Sequence, residues 1–292
     1  MIEGFGDRLT QAFDTAGHLC VGIDPHPYLL EAWNLPISGP GAREFGLRVV
    51  EASVGRAGIV KPQVAFFERH GSAGYAALEA TLQAARDAGI LVIADAKRGD
   101  LGSSVEAYGQ AWLTPGSPLE ADAMTISAYQ GVGSLVEPMA LALDGGKGLF
   151  VLAATSNPES FETQRALVQS GDRVGLTVAA SIVDEMNAAA ALATREGSRE
   201  SAGSLNSFGF VIGATVSLAD YGITDADLLA SPILAPGFGF QGADVDSVHR
   251  VYGAAAHNVV VSSSRAILDA GPTGVATAIG LQVAELDRVF SK

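Results

Sequence analysis

The sequence predicts an α/β chain folded as a (β/α)8 barrel, and three observations predict it. Short runs rich in valine and isoleucine recur eight times along the 292 residues. Longer stretches with helical spacing separate them. The runs are continuously apolar instead of alternating, which is the pattern of parallel strands buried on both faces beneath helices. An open, doubly wound sheet of seven or eight strands accommodates the same runs and is the alternative fold.

The eight runs are Leu19 to Ile23, Gly58 to Val60, Ile90 to Ala94, Ala123 to Ile126, Leu149 to Ala153, Phe208 to Ile212, Pro232 to Ala235 and Asn258 to Val261. The first ends at Asp24 and the second at Lys61. Between the second and third, Tyr75, Leu78, Leu82 and Ala85 repeat at helical spacing over 74–88, and Gly89 can supply a left-handed stop. The third run feeds into Asp95 and Lys97, the fourth ends at Ser127, and the fifth at Thr155 and Ser156. A long excursion follows over about 157–207, with an alanine-rich helix near 177–194 and the polar tail REGSRESAGSLNS; it reads as a decorated connection within one barrel domain spanning 1–292. The sixth run leads to Thr215, the seventh to the loop Pro236 to Gly242, and the eighth to Ser263 to Arg265. No internal repeat of solenoid period and no low-complexity linker interrupts the pattern.

Composition narrows the function classes. Eighteen basic against 32 acidic residues leave a net charge of −14, which argues against a nucleic-acid-binding surface. No apolar run reaches the roughly 18 residues of a membrane span, and MIEGFGDRLT has acids where a signal peptide would be basic and then apolar. The single cysteine, Cys20, excludes an internal disulfide and fits a reducing cytoplasm. The five histidines show no zinc-ligand spacing and read as loop or surface residues.

A barrel of this class carries its site where the strands end, and here those ends are unusually polar. Only four lysines occur, and two of them, Lys61 and Lys97, terminate buried runs. In DAKRGD, Asp95 and Lys97 are two apart and share a face of an extended segment, while Gly99 is expected to let the chain turn and swing Asp100. Lys61 would lie beside them from the preceding strand. Alternating Lys, Asp, Lys, Asp in a desolvated site keeps all four groups ionised and offers an ammonium as proton donor. A salt-bridge network at the barrel mouth, or a Schiff-base lysine, are the competing readings. PGFGFQG matches G-x-G-x-x-G formally, but its seventh place in strand order suits a phosphate loop better than a dinucleotide fingerprint. Pro236, Gln241, Ser264 and Arg265 would then surround a phosphate monoester, with a tight turn and a surface arginine as the plainer reading. Ser127 and Ser263 lack the neighbouring histidine and acid of a nucleophilic triad.

Taken together, VGIDPHP, VKPQVAFFE, DAKRGDLGSS, TSNP, APGFGFQG and SSSR at strands one, two, three, five, seven and eight cover nearly the whole chain. The combination resembles the orotidine 5′-monophosphate decarboxylase family, in its longer bacterial form. The resemblance implies decarboxylation of orotidine 5′-monophosphate to uridine 5′-monophosphate (UMP), the final step of pyrimidine nucleotide synthesis, with no cofactor and no metal. It implies that Lys61, Asp95, Lys97 and Asp100 form the charged tetrad, with Lys97 protonating C6 and Asp100 reaching into the other site of a homodimer. It also implies that Asp24 and Ser104 contact ribose, Ser127 the pyrimidine, and Gln241 and Arg265 the phosphate. Ser104 stands where threonine is usual, and Ser264 where short members carry glycine. A magnesium-dependent sugar-phosphate aldolase or decarboxylase of the same barrel group, and a non-catalytic nucleotide-binding barrel, are the alternatives.

Overall fold

In the computed structural model, which describes residues 3–195, 204–238 and 242–291, eight parallel strands close in sequence order. They are β1 (Leu19–Ile23), β2 (Ile59–Pro62), β3 (Leu91–Arg98), β4 (Ala123–Ile126), β5 (Gly148–Ala154), β6 (Phe208–Ile212), β7 (Ile233–Pro236) and β8 (Val259–Ser263). β8 pairs with β1 through Leu19 with Val261 and Cys20 with Ser262, so the sheet has no edge and the open-sheet alternative falls. β1, β4 and β6 have the expected bounds; β3 and β8 run on to Arg98 and Ser263, where Arg98 still pairs with Ile126 and Ser263 with Val21.

Helices cover the outside. In Gly71–Asp87 the periodic Leu78, Leu82 and Ala85 are buried, and Gly89 takes the left-handed conformation (φ 70°) that stops the helix. The excursion after β5 holds two short helical turns, an antiparallel bridge between Leu167 and Thr177, and the helix Val178–Arg195; part of its polar tail lies outside the described residues. Between β6 and β7 no α-helix forms. Two 3₁₀ turns, Leu218–Tyr221 and Asp225–Leu228, replace it, the second held by a capping box of Thr224 and Asp227.

Side-chain alternation along the strands builds the barrel interior in layers. One residue from every strand forms the lower layer: Cys20, Ile59, Ile93, Ala123, Phe150, Val211, Leu234 and Val260. The helix Phe5–Ala16 plugs the barrel beneath it with Phe5, Leu9 and Ala12, Phe5 meeting Phe150 edge-on at 5.9 Å. That approach requires glycine at 148, where a Cβ would lie 2.3 Å from the Phe5 ring. Each large apolar side chain buried in this plug contributes about 1.5–3 kcal/mol. Two residues further along the strands the layer changes character: Lys61, Asp95, Thr125, Leu152, Pro236 and Ser262 occupy it, with glycine at 22 and 213. The apolar layer is the floor of a site, and Lys61, Asp95, Leu152, Pro236 and Ser262 of the polar layer line it, with Thr125 behind them. Among the described residues no helix is long and apolar enough to cross a membrane.

Candidate active site

A cavity of about 420 Å³ opens at the C-terminal ends of the strands. Asp24, Lys61, Asp95, Lys97, Pro236, Ser264 and Arg265 line it, all of them sequence-expected. His26, Gln63, Leu152, Thr155, Ser156, Asn157 and Phe238 line it too. A depression of about 520 Å³ at the opposite end of the barrel has Arg8, Arg86, Lys147, Glu120 and Asp122 in its wall. Its cations are spent on neighbours: Arg8 on Asp122, Lys147 on Glu120 at 2.6 Å, and Arg86 on the Glu120 carbonyl. The strand-end cavity is therefore where the chemistry belongs.

Asp95 is its centre. Lys61 Nζ (3.0 Å) and Gln63 Nε2 (2.9 Å) donate to Asp95 Oδ2, while Lys97 Nζ (2.6 Å) and Thr125 Oγ1 (2.9 Å) donate to Oδ1. Four donors fill the acceptor capacity of one carboxylate. Burial on its own would raise the Asp95 pKa, but the Lys61 and Lys97 charges and their hydrogen bonds overcome it, holding the carboxyl far below the usual range. Lys61 is equally buried; desolvation disfavours its charge, yet Asp95 and then Asp24 hold its pKa above the ordinary lysine value. Lys97 is the more exposed partner, 46% against 9% for Asp95, so its ammonium faces the cavity.

The backbone around Lys97 explains that placement. β3 and β4 pair at Ala94 with Met124 and at Arg98 with Ile126, so Asp95, Ala96 and Lys97 bulge opposite the single residue Thr125. Lys97 itself takes φ 47°, in the left-handed region that side chains other than glycine and asparagine rarely enter. Gly99, expected to let the chain turn, does so without a positive φ. Its role is space: a Cβ there would stand 2.6 Å from the Ser127 carbonyl oxygen.

Not every expected residue reaches the cavity. Asp100 caps the Leu101 N–H at 2.9 Å, and among the described residues no ion pair joins it to Lys61 or Lys97. Ser104 is exposed on the helix Gly102–Leu113, and Ser127 stands outside the lining. Gln241 lies outside the described residues. Just after β5, Thr155 and Ser156 both line the cavity, and Gly213 makes room for Ser156, since a Cβ there would lie 2.8 Å from Ser156 Cβ.

The opposite wall is polar and partly unsatisfied. Asp24 Oδ1 and Ser263 Oγ are buried with no hydrogen-bond partner among the described residues. Ser264 meets β1 closely enough that a Cβ on Gly22 would fall 1.8 Å from its Oγ. His26, expected as a loop or surface residue, lines the cavity and packs on Phe66 at 4.0 Å. Burial, aided by the Arg265 and Arg69 charges, lowers its pKa against the pull of Asp24.

Comparison with known proteins places these features in context. The model of the orotidine 5′-phosphate decarboxylase / HUMPS family matches residues 17–279. The chain is 47% identical over 276 residues to the orotidine 5′-phosphate decarboxylase of Streptomyces coelicolor, covering 93% of this chain and 92% of that one. It is 46% identical over 275 residues to the Corynebacterium efficiens protein of the same name, with 93% and 92% covered. The crystal structure of a proposed orotidine 5′-phosphate decarboxylase from Streptomyces avermitilis superposes with a TM-score of 0.90 at 44% identity, over 100% of this chain and 97% of that one. The Leishmania donovani OMP decarboxylase gives 0.76 at 27% identity, over 99% of each.

Proposed function

The chain belongs to the orotidine 5′-phosphate decarboxylase / HUMPS family, and from that premise we propose that it is a carboxy-lyase converting orotidine 5′-monophosphate to UMP in pyrimidine nucleotide synthesis. The observation that carries the proposal is the Asp95 carboxylate, saturated by four donors and holding the Lys97 ammonium at 2.6 Å in the mouth of the cavity.

Decarboxylation breaks the bond from C6 to the carboxyl carbon. The electron pair stays on C6, an sp² carbon with no conventional electron sink, and carbon dioxide leaves. Lys97 then gives its proton to C6 and recovers one from water. A fixed ammonium in a water-poor pocket stabilises such a localised negative charge before it transfers the proton. Proton transfer from a positioned acid contributes roughly 10²- to 10⁴-fold. Enzymes lower barriers by about 8 to 23 kcal/mol, so the remainder must come from preorganised charge and from binding energy remote from the ring.

The rest of the cavity suits that substrate. The buried, unpartnered Asp24 Oδ1 accepts a ribose hydroxyl, Ser156 is placed for the pyrimidine, and Arg265 with Ser264 and Pro236 grips the phosphate. Gln241 completes that grip in the proposal. With all its lone pairs taken by donors, Asp95 has none left for a magnesium ion, which disfavours the aldolase alternative. Asp100 and Ser104 act in the site of a second copy of the chain. The exposed Leu101, Tyr108 on the helix that follows it, and Tyr129 after β4 support a partner at that surface.

The test is a direct ultraviolet assay of orotidine 5′-monophosphate with and without EDTA. Loss of the substrate band with equimolar carbon dioxide, unaffected by EDTA, is expected. Tight UMP binding without turnover would identify a binding protein, and EDTA-sensitive turnover a metal enzyme.

A further inference from the structure

Thr125 was not expected in the site, yet it ties together the two groups on which the proposed chemistry depends. It lies on β4 with its side chain directed into the barrel and is fully buried. Three residues of β3 bulge across from it, so the regular ladder does not pair the Lys97 backbone there. The Lys97 N–H donates instead to Thr125 Oγ1, at 2.9 Å. An N–H can only donate, so this bond uses an oxygen lone pair and leaves the hydroxyl proton free to point elsewhere. It points to Asp95 Oδ1, at 2.9 Å. The same Oδ1 takes the Lys97 ammonium. One hydroxyl thus closes a ring through the Lys97 backbone, the Lys97 side chain and Asp95.

That ring falls where the chain is strained. Lys97 and Asn34 are the only non-glycine residues with positive φ among the described residues. Strain of this kind persists where surrounding bonds over-determine it. Of the two polar bonds that hold the Lys97 backbone and side chain in place, Thr125 makes the first and shares an oxygen with the second. Gln63 does the corresponding work on Oδ2, the oxygen that also takes Lys61 and not Lys97.

We propose that Thr125 is a positioning residue for the decarboxylation, holding Lys97 in its left-handed conformation so that its ammonium stays aligned with C6. The proposal rests on the reading of Lys97 as proton donor. It concerns alignment and not substrate binding, because Thr125 is not among the residues that line the cavity. Misplacing a reacting group by about 1 Å costs on the order of 10²-fold in rate. The loss should therefore appear in kcat and leave KM and UMP affinity in place.

The experiment compares wild type, Thr125→Val and Thr125→Ser, with functional sites counted by UMP titration so that misfolded protein does not enter the rate. Valine keeps the shape and removes the hydroxyl; serine keeps the hydroxyl. Expected are a fall in kcat per UMP-binding site of about 10²-fold for valine, unchanged KM and UMP affinity, and recovery of most of the rate with serine. Valine turning over like wild type overturns the proposal, as does serine as impaired as valine, or a parallel loss of UMP binding sites. Wild type that binds UMP without decarboxylating overturns the reading beneath it, and that failure is visible in the wild-type measurement alone.

Discussion

At the scale of single residues, the site is built on one buried carboxylate that holds two ammonium groups. Lys61 and Lys97 both pair with Asp95, and Arg265 also lines the cavity, where the proposed function gives it the phosphate. Arg265→Ala should weaken binding of UMP by about 2–5 kcal/mol, the usual loss when one partner of a desolvated charge pair is truncated, while uridine binds mutant and wild type alike. Calorimetric titration of both ligands checks this, and an equal loss for the nucleoside would mean that Arg265 supports the fold. Lys61, Asp95 and Lys97 were legible in the sequence because a charge that terminates a buried run has nowhere to point but the barrel mouth. Thr125 and Gln63 were not, because a threonine inside a strand and a glutamine after one carry no such signal until registers are known. Ser127 is the last polar residue of its run, whereas strand parity and the β3 bulge bring Thr125, two residues earlier, to Asp95.

At the scale of elements, the ends of the barrel are closed by different means. The bottom is sealed by packing, and His18 is its rivet: its ring stacks on Phe13 of the first helix at 4.1 Å and on Phe290 of the last at 3.8 Å, and Nδ1–H donates to the Val259 carbonyl at 2.9 Å. It lies in the loop before β1, as its sequence suggests, and there joins three elements distant along the chain. Burial is the main cause that lowers its pKa to about 4, with His257 adding to the effect and Asp287 and Asp14 opposing it. A histidine whose folded pKa lies below its unfolded value of 6.5 favours the native state above pH 6.5. That contribution is lost as pH falls toward about 4, where it amounts to roughly 3 kcal/mol. Denaturant unfolding across this window should therefore show a steeper loss of stability in wild type than in His18→Phe. Parallel curves would mean that His18 titrates normally. The strands were legible to within a few residues because buried parallel strands are written as unbroken apolar runs. The 3₁₀ turns between β6 and β7 were not, because short segments stabilised by a capping box and by Gly222 at φ 66° carry no 3.6-residue stripe.

At the scale of the whole molecule, a net charge of −14 opposes an anionic substrate at long range, so the attraction must be local to the ring of Lys61, Lys97 and Arg265. Dimerisation would add to that ring an Asp100, which does not line the cavity of its own chain. Mixing Lys97→Ala with Asp100→Ala tests it. If Asp100 serves the partner, one site of each heterodimer carries both defects and the other none. Random exchange of equal amounts makes about half the dimers mixed and leaves about one quarter of all sites intact. Activity near that fraction should return only after subunit exchange; verified exchange with no recovery would confine Asp100 to its own chain. The central claim is that this barrel decarboxylates orotidine 5′-monophosphate with Lys97 as proton donor. The most direct measurement is turnover of that substrate, followed as absorbance loss and carbon dioxide release, in wild type and Lys97→Ala beside their UMP affinities. Wild type should turn the substrate over, the mutant should fall by at least roughly 10²- to 10⁴-fold, and both should retain UMP binding. Near-normal turnover in Lys97→Ala, or none in a wild type that binds UMP, would contradict it.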